Sequence, residues 1–225
     1  MRQALLLIVL ILVSCAPRVP VSYQPPKGSP PPALKGTARF EVHYPGGEQE
    51  GRLFYFITRE GIYTEALSPF GWSIFQTLFR GNTATLVVVP KQEVLIFFLR
   101  TPPPEWTNNW GLLALGAIPD EWKVEEAFRV RDEVEVHFRF EDGFRARAVF
   151  SPEGILRELV LARQRELARF RYEWEADHLR EISLKIPQLR TRVRFTFLTR
   201  KVAAPQPLTI TIPANFTTKA YDLHL

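Results

Sequence analysis

The chain has 225 residues, 29 Lys and Arg against 24 Asp and Glu, a formal net charge of +5 and a single cysteine. That length suffices for one domain with a full hydrophobic core. The mild basicity is not a concentrated nucleic-acid footprint, and one cysteine excludes a disulfide framework within the chain.

Met1, Arg2 and Gln3 form a short positive start, and the residues from Ala4 to Val13 (ALLLIVLILV) are all apolar. A bilayer-spanning helix needs ~20 apolar residues, so this run reads as a signal peptide, and nothing later is long enough to span. It closes on Leu12-Val13-Ser14-Cys15, which resembles the bacterial lipobox: apolar and small residues ahead of an obligatory cysteine. The chemistry needs a thiol to form a thioether with diacylglycerol, so cleavage before Cys15 and lipidation on it are expected. The plainer alternative is an ordinary signal peptide with a chance cysteine. Two or three acyl chains, at ~0.8 kcal/mol per buried CH₂, would make the attachment permanent. Ala16, rather than Asp, favours the outer membrane under the enteric-type sorting code.

From Ala16 to Ala33 the chain is dense in proline (Pro17, Pro20, Pro25, Pro26, Pro30, Pro31, Pro32) and poor in aliphatic residues. It reads as a semi-rigid spacer, whose polyproline II geometry at ~3.1 Å per residue would hold a domain up to about 50 Å from a bilayer. The folded domain is then expected from Leu34 to Phe216.

Within that domain, period-two alternation dominates. Ala38, Phe40, Val42 and Tyr44 alternate with Arg39, Glu41 and His43, and Val134, Val136, Phe138 and Phe140 alternate with polar neighbours. The pattern returns at Phe144 to Phe150, Ala168 to Trp174, Ile182 to Ile186, Val193 to Phe197 and Leu208 to Ile212, each a half-buried strand. Gly46-Gly47, Asp142-Gly143 and Glu153-Gly154 are hairpin signals between runs. Arg and Glu on the opposite faces predict cross-strand ion pairs on a wet side. Leu53 to Ile57, Leu86 to Val89 and Val94 to Leu99 are apolar at nearly every position, so both faces must avoid water there and something must cover them.

The clear helix candidate is Glu105 to Gly116, placed between Pro102-Pro103-Pro104 and Pro119, with Trp106, Trp110 and Leu113 at helical spacing. Trp72 to Phe79 is ambiguous between helix and strand. The pattern as a whole predicts a mainly β fold: a strongly curved, half-open antiparallel sheet of about ten to twelve strands, with one or two helices over its concave side.

Catalytic patterns are thin. His43, His137, His178 and His224 show no metal-ligand spacing, so no metal site or cofactor is expected. Gly71-Trp72-Ser73 begins like a nucleophile elbow, but Phe75 stands where the last glycine belongs. No two carboxylates are marked as a glycosidase pair. Arg190, Arg192 and Arg194 alternate with the aromatics beside them and so face the other way, which argues against a nucleic-acid-stacking sheet. The aromatic content, 17 Phe, 5 Trp and 6 Tyr, fits equally an apolar ligand cavity or a dry core.

Several motifs in order resemble the LolA/LolB superfamily of lipoprotein-localisation factors, and in particular its membrane-anchored receptor branch, LolB. A lipobox and spacer precede a strand opening with Gly36; Ser68-Pro69-Phe70-Gly71 is similar to the family's Pro-apolar-Gly loop; and the stretch from Trp110 to Pro119 resembles its helix ending in Leu-Gly-x-Pro. The stretch from Leu208 to Phe216 resembles the closing strand of related lipoproteins. The resemblance implies a signal peptide over 1–14, a lipidated spacer over 15–33, a LolA/LolB-like domain over 34–216 and a tail over 217–225. It implies an outer-membrane lipoprotein facing the periplasm, not an enzyme, that takes acyl chains of lipoproteins or lipids from a periplasmic LolA-like donor and acts as a monomer. Pro69, Phe70 and Gly71 would form the membrane-inserting loop, and Phe54, Phe56, Phe97, Trp106, Trp110, Leu113, Phe138, Phe170 and Trp174 are the candidates for cavity or lid. The longer C-terminal half, and proline in place of the N-terminal helix, depart from the family. A structural or assembly lipoprotein that binds an envelope protein is the alternative.

Overall fold

The computed structural model describes residues 18–26, 33–100 and 102–223; the expected signal peptide, Cys15 and part of the expected spacer lie outside them. After the short strand β1 (Arg18–Pro20), six strands run in sequence: β2 (Ala33–Tyr44), β3 (Gly47–Thr58), β4 (Gly61–Leu67), β5 (Ser73–Arg80), β6 (Thr83–Val88) and β7 (Glu93–Leu99). Two short helices follow, α1 (Pro104–Thr107) and α2 (Trp110–Ala114). The second run comprises β8 (Val124–Val130), β9 (Glu133–Arg139), β10 (Arg145–Phe150), β11 (Leu156–Ala162), β12 (Glu166–Glu175), β13 (His178–Ile186) and β14 (Thr191–Val202), and β15 (Thr217–Leu223) is the last described element.

Among the described residues fifteen strands join one sheet in the order β1-β8-β9-β10-β11-β12-β13-β14-β2-β3-β4-β5-β6-β7-β15. Each run is a meander of antiparallel neighbours, and β14 returns to pair with β2, joining the two halves. The sheet is not closed into a barrel, as the sequence pattern predicts. Among the described residues β15 is the one parallel addition, along β7.

Register fixes two faces. On the inner face, which carries the helices, Ala38 and Phe40 of β2 stand beside Leu53 and Tyr55 of β3, while Val136, Phe138, Ala146, Ala148, Leu159, Phe170 and Tyr172 continue the row through the second run. On the outer face of that run the expected ion pairs form. Arg147 reaches Glu135 at 3.0 Å and Glu158 at 2.7 Å, and Glu158 also holds Arg171 at 3.1 Å. Buried Glu135 feels burial first, which raises its pKa. His137 and Arg147 hydrogen bonds and the charges of Arg147 and Arg18 outweigh that, holding it below the ordinary carboxylate range.

Several expectations need correction. The stretch from Leu208 to Ile212 is not a strand: Pro205, Pro207 and Pro213 remove backbone donors around it. It belongs instead to a strap that leaves β14 at Ala203, whose N–H bonds Ala33 O, and reaches β15 at Thr217, whose N–H bonds Gln92 O. Buried Leu208 packs beside Gly61. The strap thereby covers part of the outer face of the first run; Val87 and Val94 are buried on that face, while Phe54 stays exposed. The expected tail is edge strand β15. Part of the expected spacer is strand β1, paired Arg18 to Val130 and Pro20 to Phe128, with the Val21 N–H on Ala127 O and Tyr23 packed on Phe150. Trp72 to Phe79 resolves as strand β5. The single expected helix is two, because Asn109 interrupts it. Its buried Nδ2 donates to Glu105 O at 2.9 Å and to Glu121 Oε1 at 2.8 Å.

Candidate functional site

The two helices form a lid pinned to the sheet at several points. Pro104 supplies the preset φ for the first turn of α1, and Trp106 lies edge-on against Phe140 and Phe144 at 5.7 and 5.2 Å. Trp110 Nε1 donates to Gly81 O at 2.8 Å, holding α2 to the β5–β6 turn. Tyr172 Oη donates to Leu113 O at 2.7 Å, and burial raises its pKa, so the phenol keeps its proton. At Gly111 the helix meets the end of β3 so closely that a Cβ would sit 1.6 Å from Thr58 O. Only glycine permits that approach.

Beyond the C-terminus of α2 the inner face is not filled. A cleft of about 850 Å³ opens between residues 115–118, the β10–β11 turn, the β12–β13 hairpin and the end of β14. Its walls include Leu115, Ile118, Phe150, Leu156, Trp174 and Phe197. The Trp174 indole N–H is satisfied by Leu156 O at 2.8 Å, which fixes the ring in the wall. The charged and polar side chains in its lining are few: exposed Asp177, which meets His178 at 3.2 Å, exposed Lys201 and half-buried Arg200. Pro26 of the N-terminal segment also lines the cleft. An apolar hollow of this size with a few polar groups at its edge has the character of a small-ligand site. Among the described residues no His, Cys, Asp and Glu side chains gather as a metal site.

The loop between β4 and β5 lies at the other end of the sheet. It is closed by Ser68 N–H to Trp72 O at 2.7 Å, Gly71 N–H to Ser68 O at 2.9 Å and Trp72 N–H to Ser68 Oγ at 3.1 Å. Phe70 is 82% exposed and Trp72 75%, their ring centroids 6.2 Å apart. Phe70 therefore does not tuck beneath the lid. A second hollow, of about 500 Å³, lies at the same end and is lined by His43, Lys185, Arg190 and Arg192 among others.

Of the residues singled out in the sequence, Trp106, Trp110 and Leu113 belong to the lid, Phe138 and Phe170 to the buried inner face, and Trp174 to the cleft wall. Phe97 is on the inner face at the sheet margin, stacked on Tyr221 at 5.4 Å. Phe54 and Phe56 do not face the cavity: they pair with Glu65 and Tyr63 on the outer face, and Phe54 is 51% exposed. In a run apolar at every position, nothing in the pattern says which parity is inside. Phe150 and Phe197 carry the alternation that marks inner-face residues, but their place at the cleft depends on where the lid stops.

No protein-family model matches the chain, and no curated protein matches it. Among solved structures it is similar to a LolA superfamily protein from Nitrosomonas europaea, at 10% identity over 79% of this chain and 89% of that one, with a TM-score of 0.50. It also matches a DUF1329 family protein from Desulfovibrio piger, at 8% identity over 80% and 89% of the two chains, with a TM-score of 0.48. An outer membrane lipoprotein-sorting protein domain from Vibrio parahaemolyticus matches at 7% identity over 78% and 87%, with a TM-score of 0.48. What the first of these shares with the chain is its fold.

Proposed function

We propose that the chain is a lipid-anchored envelope protein that holds an acyl chain of a lipoprotein or lipid in the cleft beside α2 and helps pass it to the outer membrane. The observation that carries this reading is the cleft itself, lined mainly by apolar side chains with few charged groups. Burying an acyl chain there removes apolar surface from water at ~25 cal/mol per Å². The lid supports the role, since its clamps keep the hollow from collapsing onto the sheet. Cys15 would carry the anchor, and the exposed Phe70 and Trp72 would contact lipid at the point of release. The reading requires no cofactor and no covalent chemistry on the cargo.

Fluorescence titration with a dansyl-labelled fatty acid tests it. Saturable binding that an acylated lipopeptide displaces is the expected outcome. A response that rises linearly without saturating would mean that the hollow takes no chain. The domain would then act as a dry scaffold for an envelope partner.

A further inference from the structure

The last turn of β14 breaks the alternation that orders the rest of the strand. Val193, Phe195 and Phe197 face inward opposite Val42, Phe40 and Ala38, and regular alternation would send Thr199 inward and Arg200 out. A register shift between Phe197 and Thr199 reverses this. Thr199 pairs with Thr37 on the outer face, its Oγ1 2.9 Å from that of Thr37, and Arg200 pairs with Gly36 on the inner face. Bulges of this kind re-aim a side chain at the cost of a ladder position.

The surroundings fit the redirected cation. At Gly36 a Cβ would lie 2.0 Å from Thr199 O, so the bulge and the glycine require one another. Arg200 is half-buried, its Cζ lies 5.8 Å from the centre of the Phe197 ring, and it lines the cleft. Among the described residues no carboxylate pairs with it. Arg194, earlier on the same strand, is held by Glu41 at 3.2 Å and Glu181 at 3.1 Å. The acid at the cleft mouth, Asp177, is on His178. A guanidinium turned toward apolar walls without a counter-ion favours an anion from outside the chain. Lys201 adds a second positive charge at the mouth.

We propose that the cleft takes an anionic lipid, its chain against Phe150, Leu156 and Trp174 and its single negative head on Arg200. The proposal rests on the acyl-chain reading above and narrows it to a class of lipid: the head is a carboxylate or a phosphodiester, and neutral or zwitterionic lipids are disfavoured.

The test uses the full chain with phosphatidylcholine vesicles containing a trace of one lipid whose acyl chain ends in a photoactivatable diazirine. The three probes are a fatty acid, a phosphatidylglycerol and a phosphatidylcholine. The trace amount leaves the surface charge of the vesicle unchanged, so a general attraction of the basic protein to anionic membranes does not enter. Cross-linking to residues 115–118, 150–156 and 174–179 is read by peptide mass spectrometry.

An anionic probe should label these segments about tenfold more than phosphatidylcholine, as expected for a charge-assisted hydrogen bond. Arg200→Gln should bring that ratio close to one and Arg200→Lys should restore part of it. Which anionic probe labels identifies the head. Equal labelling by all three probes would overturn the proposal while leaving the acyl-chain reading standing. Absence of labelling in the cleft by any probe would overturn both. Should Arg200→Gln fail to fold, the comparison of the three probes on the unaltered chain decides alone.

Discussion

Replacing Gly111 by alanine sets two effects of opposite sign against each other. In an exposed helix interior the change would stabilise by about 1 kcal/mol, because alanine has the better helix propensity. Here the added Cβ would lie 1.6 Å from Thr58 O, 2.8 Å from Thr58 C and 3.1 Å from Arg59 O. These are backbone atoms held in the β3–β4 hairpin and cannot swing aside, so α2 must lift. Overpacking of this kind costs about 1–3 kcal/mol, and the lift also strains the Tyr172 to Leu113 hydrogen bond, worth about 1 kcal/mol. The net expectation is a destabilisation of about 2 kcal/mol, which lowers Tm by about 4–8 °C in a chain of this size. Thermal unfolding followed by circular dichroism measures it, and fatty-acid titration should weaken in parallel because Leu115 and Ile118 move with the helix. A variant as stable as the parent, or more so, would refute the argument that this contact sets the lid.

Other substitutions separate the parts. Tyr172→Phe should cost about 1 kcal/mol in urea unfolding, with chain binding weakened less than by Gly111→Ala, because the helix stays in place. Phe70→Glu combined with Trp72→Glu should leave Tm unchanged while reducing vesicle association at least about tenfold, since neither ring contributes to the core; a fall in Tm would show that the loop is structural. Glu135 has a lowered folded pKa, so its contribution is present above the ordinary carboxylate pKa and is lost as pH falls through the lowered value. Glu135→Gln should therefore flatten the acid limb of urea midpoints measured between neutral pH and pH 3. It should also speed proteolysis within residues 18–26, because Arg18 loses its partner at 3.2 Å.

The second run was legible from sequence because each strand buries one face: Val134, Val136 and Phe138 are inside as their spacing says, and Glu133 and Arg139 are out. Where a run is apolar at every position, as at Phe54 and Phe56, spacing carries no such information, and the strap that crosses the outer face of these strands has the apolar spacing of a strand without forming one. β15 (TTKAYDL) has no apolar alternation, and its parallel pairing to β7 rests on main-chain bonds that any residue but proline can make. β1 was hidden by its proline-rich setting. At the site, the lid tryptophans were recognisable by helical spacing, but the mouth of the cleft was not. Arg200 reads as an outward residue until the bulge after Phe197 is known, and a bulge of one residue leaves no composition signal.

The short pairing of β1 decides how much leash an anchored domain would have. Were Cys15 to carry the lipid, three residues at about 3.5 Å each would lead to Arg18, a reach of about 10 Å. Arg18 lies opposite Val130, at the same end of the sheet as the cleft mouth, whereas Phe70 lies at the far end. With β1 in place such an anchor would present the cleft mouth to the membrane and hold the aromatic loop away. Letting go of three strand residues, the Val21 bond, the Arg18 ion pair and the Tyr23 and Pro26 contacts would return the proline segment to its full span and let an anchored molecule turn over. A few backbone bonds at a sheet edge would thus select which pole of a domain anchored in this way meets the lipid.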